Sequence, residues 1–522
     1  MRRPLQLCSL VWTLVLGLVL ALYLGLSASA QQGAQNEPIA RLIQEVRLEE
    51  AERRLEAAPD DRGLDGLRAR LAIYRGNFSD GLRALERSFE DVPSFGDRDP
   101  RELYGEILRE SHERLGDHAE FKSEDGRIIV RTPRGADEIL APYAIEILKR
   151  GDEAFAEIFG MRHPGPIRVD FVRGPEDLSK TSTLSEDAIA TTGTIGLCKW
   201  DRMLVTTPRA LARGYGYLET IAHELAHLYL SRASRDRAPV WFHEGLAKVL
   251  EKVPLGEPIG AHLSPSNKAL LAKHHEAGTL LPFSAFHPSI ALLPTQEQAA
   301  LAYAEAADFV EQFIDVHGLD GLRLAIHQSS LGLSIEEALE QVSGTSFQAL
   351  EAGWRSSLGR YTYDPDLKEL ERRFVDDAGE ADDLREMDNE ATRKKLRLGD
   401  LLWDRKRPKA ASKIYREAVT LSPKNPILLS RLARSALEAG EIDEAIRAGE
   451  LAVGYYPDHA PALSSLSEAY ARRDRPNEAI DAARRAIAIN PFDPEPHCVL
   501  SRVSEAPRER EIERAACARL SR

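Results

Sequence analysis

The sequence predicts a mixed α+β unit over residues 120–360, set between two all-α stretches. Three observations carry this expectation: a 34-residue recurrence near the C-terminus, a helical apolar period near the N-terminus, and β-branched runs bounded by turn residues between them. With 522 residues there is room for about three cores. A formal charge of −14 opposes approach to a phosphate backbone, so no nucleic-acid partner is expected.

Residues 1–30 read as an export leader: Arg2 and Arg3, an uncharged apolar run over 5–26, then Ala28 and Ala30 at the small-x-small spacing that a signal peptidase accepts. Cleavage after Ala30 is the expected outcome. The run is also long enough to cross a bilayer, so an uncleaved membrane anchor over 5–26 stays open. Either way the body of the chain is expected outside the cytoplasm, in a periplasm or the extracellular space. Of four cysteines, Cys198, Cys498 and Cys517 follow the leader, which is no disulfide framework. Cys498 and Cys517 could pair across neighbouring helices, but two buried free thiols are the preferred reading.

Residues 37–117 repeat apolar positions at helical spacing (Leu42, Val46, Leu48, Leu55, then Leu67, Leu71, Tyr74, Leu82, Leu85, Phe89), which predicts two or three helical hairpins, with degenerate repeats one reading of them. From residue 120 the pattern changes. Phe121–Lys122 and Ile128–Val130 flank Glu124, Asp125 and Gly126 as a hairpin, a helix is expected from Gly135 to Phe159, and Ile167–Val172 and Met203–Thr206 read as strands. The last of these is a candidate edge strand for an extended ligand. Over 361–391 the composition becomes acidic, with twelve acids against four bases from Thr362 to Ala391, and a solvated connector is expected there.

Beyond it three columns recur 34 residues apart: Ala411, Ala445 and Ala479; Ala418, Ala452 and Ala486; Pro423, Pro457 and Pro491. Small residues allow paired helices to approach, and the prolines fall after each second helix, where a missing N–H costs nothing. The pattern resembles the tetratricopeptide repeat, three copies over 392–493 with Gly399 and Tyr470 in favoured columns. The resemblance implies that the repeats hold a protein partner or an extended substrate segment, and residues 494–522 are expected to cap the solenoid.

The chemistry is concentrated in "GYGYLETIAHELAHLYL". On a helix His223 and His227 differ by about 40°, and Glu224 falls with them inside about 100° of arc. Two imidazoles on one face can hold one zinc ion while the carboxylate reaches its water. Unaided, this motif also fits two core histidines with satisfied hydrogen bonds. Seventeen residues beyond His227, in "APVWFHEGLAKVLE", Pro239 and the apolar period start a second helix that would aim Glu244 at the same point.

These residues resemble the gluzincin branch of the HExxH metallopeptidases, in particular the peptidase MA-like domains, over about 120–360 and most strongly over 216–251. The resemblance implies a zincin-like α+β catalytic domain, one Zn2+ per chain on His223, His227 and Glu244, Glu224 as general base, and a peptide or protein substrate. Gluzincins often carry an oxyanion donor on a later helix; "EQAALAYAEAADFVEQFI" resembles that helix and makes Tyr303 the candidate, against a tyrosine packed on its own face with Ala307 and Val310. The glutamate motif with which aminopeptidase members hold a substrate amine is missing, so endopeptidase action is preferred. Some relatives have an acid four residues after the third ligand; Lys248 stands there, and Glu251 is the alternative partner for a ligand histidine. His243 is expected to face solvent or the groove, and His262, His274, His275 and His287 to lie in loops. The rival reading is a catalytically inactive peptidase-like repeat scaffold for envelope proteins.

Overall fold

The computed structural model describes residues 38–57, 62–88, 100–367, 370–375, 383–387 and 389–521. The leader, with both readings of its fate, and Phe89 lie outside them. The chain divides after His112 into two compact units. Among the described residues no helix is long and apolar enough to cross a membrane.

The first unit is helical: α1 (38–44), α2 (Leu48–Ala57), α3 (Asp65–Arg75) and α4 (Phe78–Arg87), followed by α5 (Pro100–Leu115). Leu48, Ala51 and Leu55 of α2 and most of α3 are buried, which is the apolar period read from the sequence.

The second unit opens on a five-stranded sheet. Strands β1 (Ala119–Lys122), β2 (Ile128–Thr132), β3 (Ile167–Val172), β4 (Gly196–Lys199) and β5 (Arg202–Thr206) lie in the order β1-β2-β3-β5-β4. The β2–β3 and β3–β5 pairs are parallel, while β1–β2 and β4–β5 are antiparallel. Met203–Thr206 is therefore an inner strand, and the edge is β4, which corrects the sequence expectation. Residues Gly196–Lys199 carry too little alternation to read as a strand, yet they pair with β5 from Gly196↔Val205 to Lys199↔Arg202.

Helix α6 (Leu140–Phe159) crosses between β2 and β3, and α7 (Pro175–Lys180) and α8 (Glu186–Thr192) precede β4. Then follow α9 (Tyr217–Ser234), α10 (Val240–Leu250), α11 (Pro265–Ala277), α12 (Gln296–Leu331), α13 (Ile335–Ser343) and α14 (Phe347–Ser357). α12 breaks at Gly318, whose φ of 68° is left-handed. One core joins the sheet to these helices, with Val130, Phe155, Val169, Phe171, Val205, Ile221, Leu225, Phe242 and Leu246 almost wholly enclosed. His274 and His275 belong to the last turn of α11, not to a loop as expected, because Ser264 caps that helix through Asn267 and Gly278 closes it.

The repeats stack as α15 (Glu390–Asp404) with α16 (Pro408–Val419), α17 (Pro426–Glu438) with α18 (Ile442–Tyr455), and α19 (Ala460–Arg472) with α20 (Pro476–Ile489). The alanine columns at 411, 445, 479 and at 418, 452, 486 are all enclosed, which is how adjacent helices come close. α21 (Pro494–Val503) and α22 (Pro507–Leu520) complete the stack. Cys498 and Cys517, preferred as free thiols, form a disulfide instead: the two helices run back along each other and bring the Cα atoms within 5.0 Å. Sequence spacing holds no such geometry. Parts of the acidic stretch lie against the rest of this unit, with Leu211 bridged to Phe374 and Met387 buried.

Candidate metal centre

α9 presents His223, Glu224 and His227 because its other faces are committed to the core: Leu218, Ile221, Leu225, Leu228 and Tyr229 are buried. The chain leaves α9 through Arg235 and Asp236, both left-handed at φ 56° and 58°, and re-enters helix after Pro239. This turn lays α10 beside α9. The close fit of α10 onto α12 requires a glycine, since a Cβ at Gly245 would stand 2.5 Å from the Ala306 carbonyl oxygen.

The result is a convergence of three ligand atoms. His223 Nε2 and His227 Nε2 stand 3.2 and 3.4 Å from the same oxygen, Oε2 of Glu244. Among the described residues this is the group of histidine and acidic side chains that could hold a metal ion, with all ligand atoms inside 4.8 Å of one another. Tetrahedral bonds of ~2.0 to 2.1 Å to nitrogen and oxygen separate neighbouring ligand atoms by ~3.3 Å. Two neutral imidazoles and one carboxylate at that spacing fit a divalent cation and leave a fourth position open.

The far nitrogens are also held. His223 Nδ1 lies 3.1 Å from Glu251 Oε2, and the Lys248 ammonium donates to the other Glu251 oxygen. The lysine that replaces an acid in this motif thus braces the acid one turn later. His227 Nδ1 faces His243 Nδ1 at 3.4 Å. His243 therefore turns toward α9 and not toward solvent, because α9 packs along the α10 face that carries it. Burial lowers the His223 pKa, but the hydrogen bonds to Glu244 and Glu251 outweigh it, and the imidazole is drawn up to about 9. Burial raises the Glu244 carboxyl, and His227 and His223 pull it well below the ordinary range.

Glu224 is 5% exposed. Burial lifts its pKa above the ordinary value, against the pull of His227 and His223. A Cβ at Gly196 would come within 2.5 Å of Glu224 Oε1, so β4 approaches the carboxylate by its backbone alone. Tyr303, on α12, stacks edge-on near His223 with centroids 6.2 Å apart, and burial pushes its phenol well above its ordinary pKa. The sequence-derived residues at 223, 224, 227, 244 and 303 therefore meet in one place.

Three of them, His223, Glu224 and Tyr303, line a cleft of about 340 Å3. One wall is His223, Glu224 and Tyr303; another is residues 370–373; a third comes from the repeats, residues 456–461. The sequence reading assigned no repeat residue to this site. The only signal was the recurring proline at 457, which marks a turn without saying what the turn touches.

Models of the tetratricopeptide repeat family match residues 430–494 and 402–448, so this stretch carries tetratricopeptide repeats, modules that serve protein interaction. No curated protein sequence matches the chain. Among solved structures, the chain is similar to MamA, at 20% identity over 26% of this chain and 80% of that one, with a TM-score of 0.23. A tetratricopeptide-repeat protein of Thermus thermophilus shares 26% identity over 25% of this chain and 72% of that one, TM-score 0.22. Native yeast LTA4 hydrolase shares 12% identity over 77% of this chain and 67% of that one, TM-score 0.31.

Proposed function

We propose that the chain is an exported zinc-dependent metallopeptidase, with one Zn2+ on His223, His227 and Glu244. The observation that carries this reading is the spacing of His223 Nε2 and His227 Nε2 from Glu244 Oε2, 3.2 and 3.4 Å, with Glu224 beside them. Bound zinc supplies a Lewis acid that acidifies a water and polarises a carbonyl. Glu224 takes the proton of the attacking water and passes it to the leaving nitrogen, a role suited to a carboxylate whose pKa burial has raised. Tyr303 stays protonated because burial disfavours its phenolate, and it donates to the carbonyl oxygen as charge develops there. Glu251 and His243 fix the ring orientation of the two ligand histidines from behind.

The purified protein is expected to hold one zinc ion. His223→Ala should release it, whereas Glu224→Gln should keep the metal and lose cleavage of a mixed peptide library. Wild-type turnover by Glu224→Gln would remove the assignment of the base. The repeats favour a second reading, a peptidase-like scaffold that only binds, and a zinc-loaded wild type that cleaves nothing in the library would favour it. Export after leader removal places the mature N-terminus at Gln31, and retention of Met1 would make residues 5–26 an anchor.

A further inference from the structure

The wall formed by residues 370–373 belongs to the acidic stretch, yet it brings two arginines, Arg372 and Arg373, to the cleft. Its backbone is pinned. The Arg372 N–H donates to Gln296 Oε1 at 2.9 Å, and Gln296 Nε2 donates back to the Arg372 carbonyl at 2.9 Å. Further along, the Ala212 N–H donates to the Arg373 carbonyl at 3.1 Å and the Val375 N–H to the Ala210 carbonyl at 2.7 Å. Gln296 opens α12, which carries Tyr303 two turns further on, so one helix fixes both residues on the cleft.

Of the lysines and arginines that line the cleft, all but one are matched by an acid. Arg213 pairs with Asp383 at 2.9 Å, Arg373 with Glu386 at 3.0 Å, and Lys248 with Glu251. Arg372 is the exception: it is exposed, and among the described residues its guanidinium meets no carboxylate. One of its end nitrogens donates to the Gly193 carbonyl at 3.4 Å, a long contact to a neutral group. That contact sets the charge at the cleft, because Thr192 and Thr194, on either side of Gly193, both line it. Two phenols of the lining feel the charge. Burial and Glu244 raise the Tyr303 pKa, burial raises that of Tyr215, and Arg372 works against both shifts. A guanidinium offers paired N–H groups that fit the two oxygens of a carboxylate, and a pinned backbone lowers the entropy lost in binding one.

We propose that Arg372 is a specificity-determining residue whose guanidinium binds a carboxylate of the peptide in the cleft, either an Asp or Glu side chain or the terminal carboxylate. The proposal rests on the peptidase reading and adds a substrate class to it. Gly193 stands three residues before Gly196, whose backbone borders Glu224, and three residues span at most ~11 Å. At ~3.3 Å per residue of extended peptide, the carboxylate lies within about four residues of the bond to be cut.

A peptide library of uncharged residues tests this, made in four sets: Glu or Gln fixed at one position, each with a free or an amidated C-terminus. Glu224→Gln, which binds without cleaving, should hold sets that contain a carboxylate about tenfold more tightly than the amidated Gln set. Adding Arg372→Gln should bring this ratio to about one, and Arg372→Lys should restore part of it. A preference for free C-termini alone assigns the terminal carboxylate, a preference for Glu within the amidated sets assigns a side chain, and either supports the proposal. A ratio of one with Arg372 in place, or a ratio that Arg372→Gln leaves unchanged, overturns it. Arg372→Met, which keeps the aliphatic length, repeats the test if the first variant folds poorly. Cleavage with Glu224 intact separates the two claims. Equal kcat/KM for all four sets keeps the peptidase reading and removes the proposal, whereas a zinc-loaded protein that cleaves none of them removes the reading and the proposal with it.

Discussion

Glu305 shows what a single buried acid does two residues from Tyr303. It is fully enclosed, its Oε1 accepts from the Leu281 N–H at 3.0 Å, and its Oε2 has no partner among the described residues. Burial pushes its pKa from 4.5 to about 8. Between those values the unfolded chain has lost the proton and the folded chain still holds it, so stability falls as pH rises through the window. The full penalty, up to about 5 kcal/mol, stands above pH 8. Glu305→Gln removes this titration. The difference in melting temperature between variant and wild type should therefore grow from pH 5 to pH 8 in favour of the variant, and a difference that stays flat would disprove it. At this scale the sequence was readable where spacing alone decides position: His223, Glu224 and His227 share one helical face, and Glu244 follows from a proline-started second helix. It was not readable where two helices must be docked first. The contact of Glu251 with His223 was only one alternative, and the turning of His243 toward His227 was misjudged, because both depend on how α10 lies on α9.

The hairpin of β4 and β5 positions Glu224, the proposed base. Its turn, Trp200 and Asp201, has both residues left-handed at φ 56°, a conformation that two-residue hairpins usually give to Asn or Gly. Asp201 is held there by Arg232 of α9, whose Nε donates at 2.9 Å, so tertiary bonding replaces the missing turn signal. This is why β4 could not be found from its own residues, whereas the repeats could: columns 34 apart need no neighbour to be seen. β4 also makes Gly196 a sensitive position. A methyl group there would stand 2.5 Å from Glu224 Oε1 and 2.8 Å from Thr220 Cγ2. Gly196→Ala must displace the carboxylate or the strand, and because a misplacement of about 1 Å can cost about 100-fold in rate, kcat/KM should fall on that order. The proposed ligands at 223, 227 and 244 are not among the atoms nearest the methyl group, so zinc content should stay at the wild-type level. Loss of rate together with loss of metal would mean that the strand supports α9 as a whole and not the base alone.

At the scale of the molecule, the last helix pair joins the end of the repeats to the start of the sheet unit. Tyr143 of α6 donates to Glu513 Oε1 at 2.9 Å, and the other oxygen of Glu513 pairs with His497. Arg519 reaches the Gly135 carbonyl. These bonds exist only while α22 is folded back on α21, and the Cys498–Cys517 disulfide, 19 residues apart, enforces that fold-back. A bridge of this kind persists in an oxidising compartment and is reduced in a cytosol. Closing a loop of this length stabilises the pair by roughly 3 kcal/mol, mainly by restricting the unfolded chain. Reduction, or Cys517→Ser, should accordingly lower the melting temperature, and protection of α6 amides around Tyr143 against hydrogen exchange should fall with it, since the cap that buries Tyr143 is loosened. The two readouts separate the possible causes. A lower melting point with unchanged α6 protection would make the disulfide a local clamp of the cap; a drop in both, reversed by reoxidation, would make it the tie that closes the chain's C-terminal end onto the unit carrying the His223, His227 and Glu244 cluster.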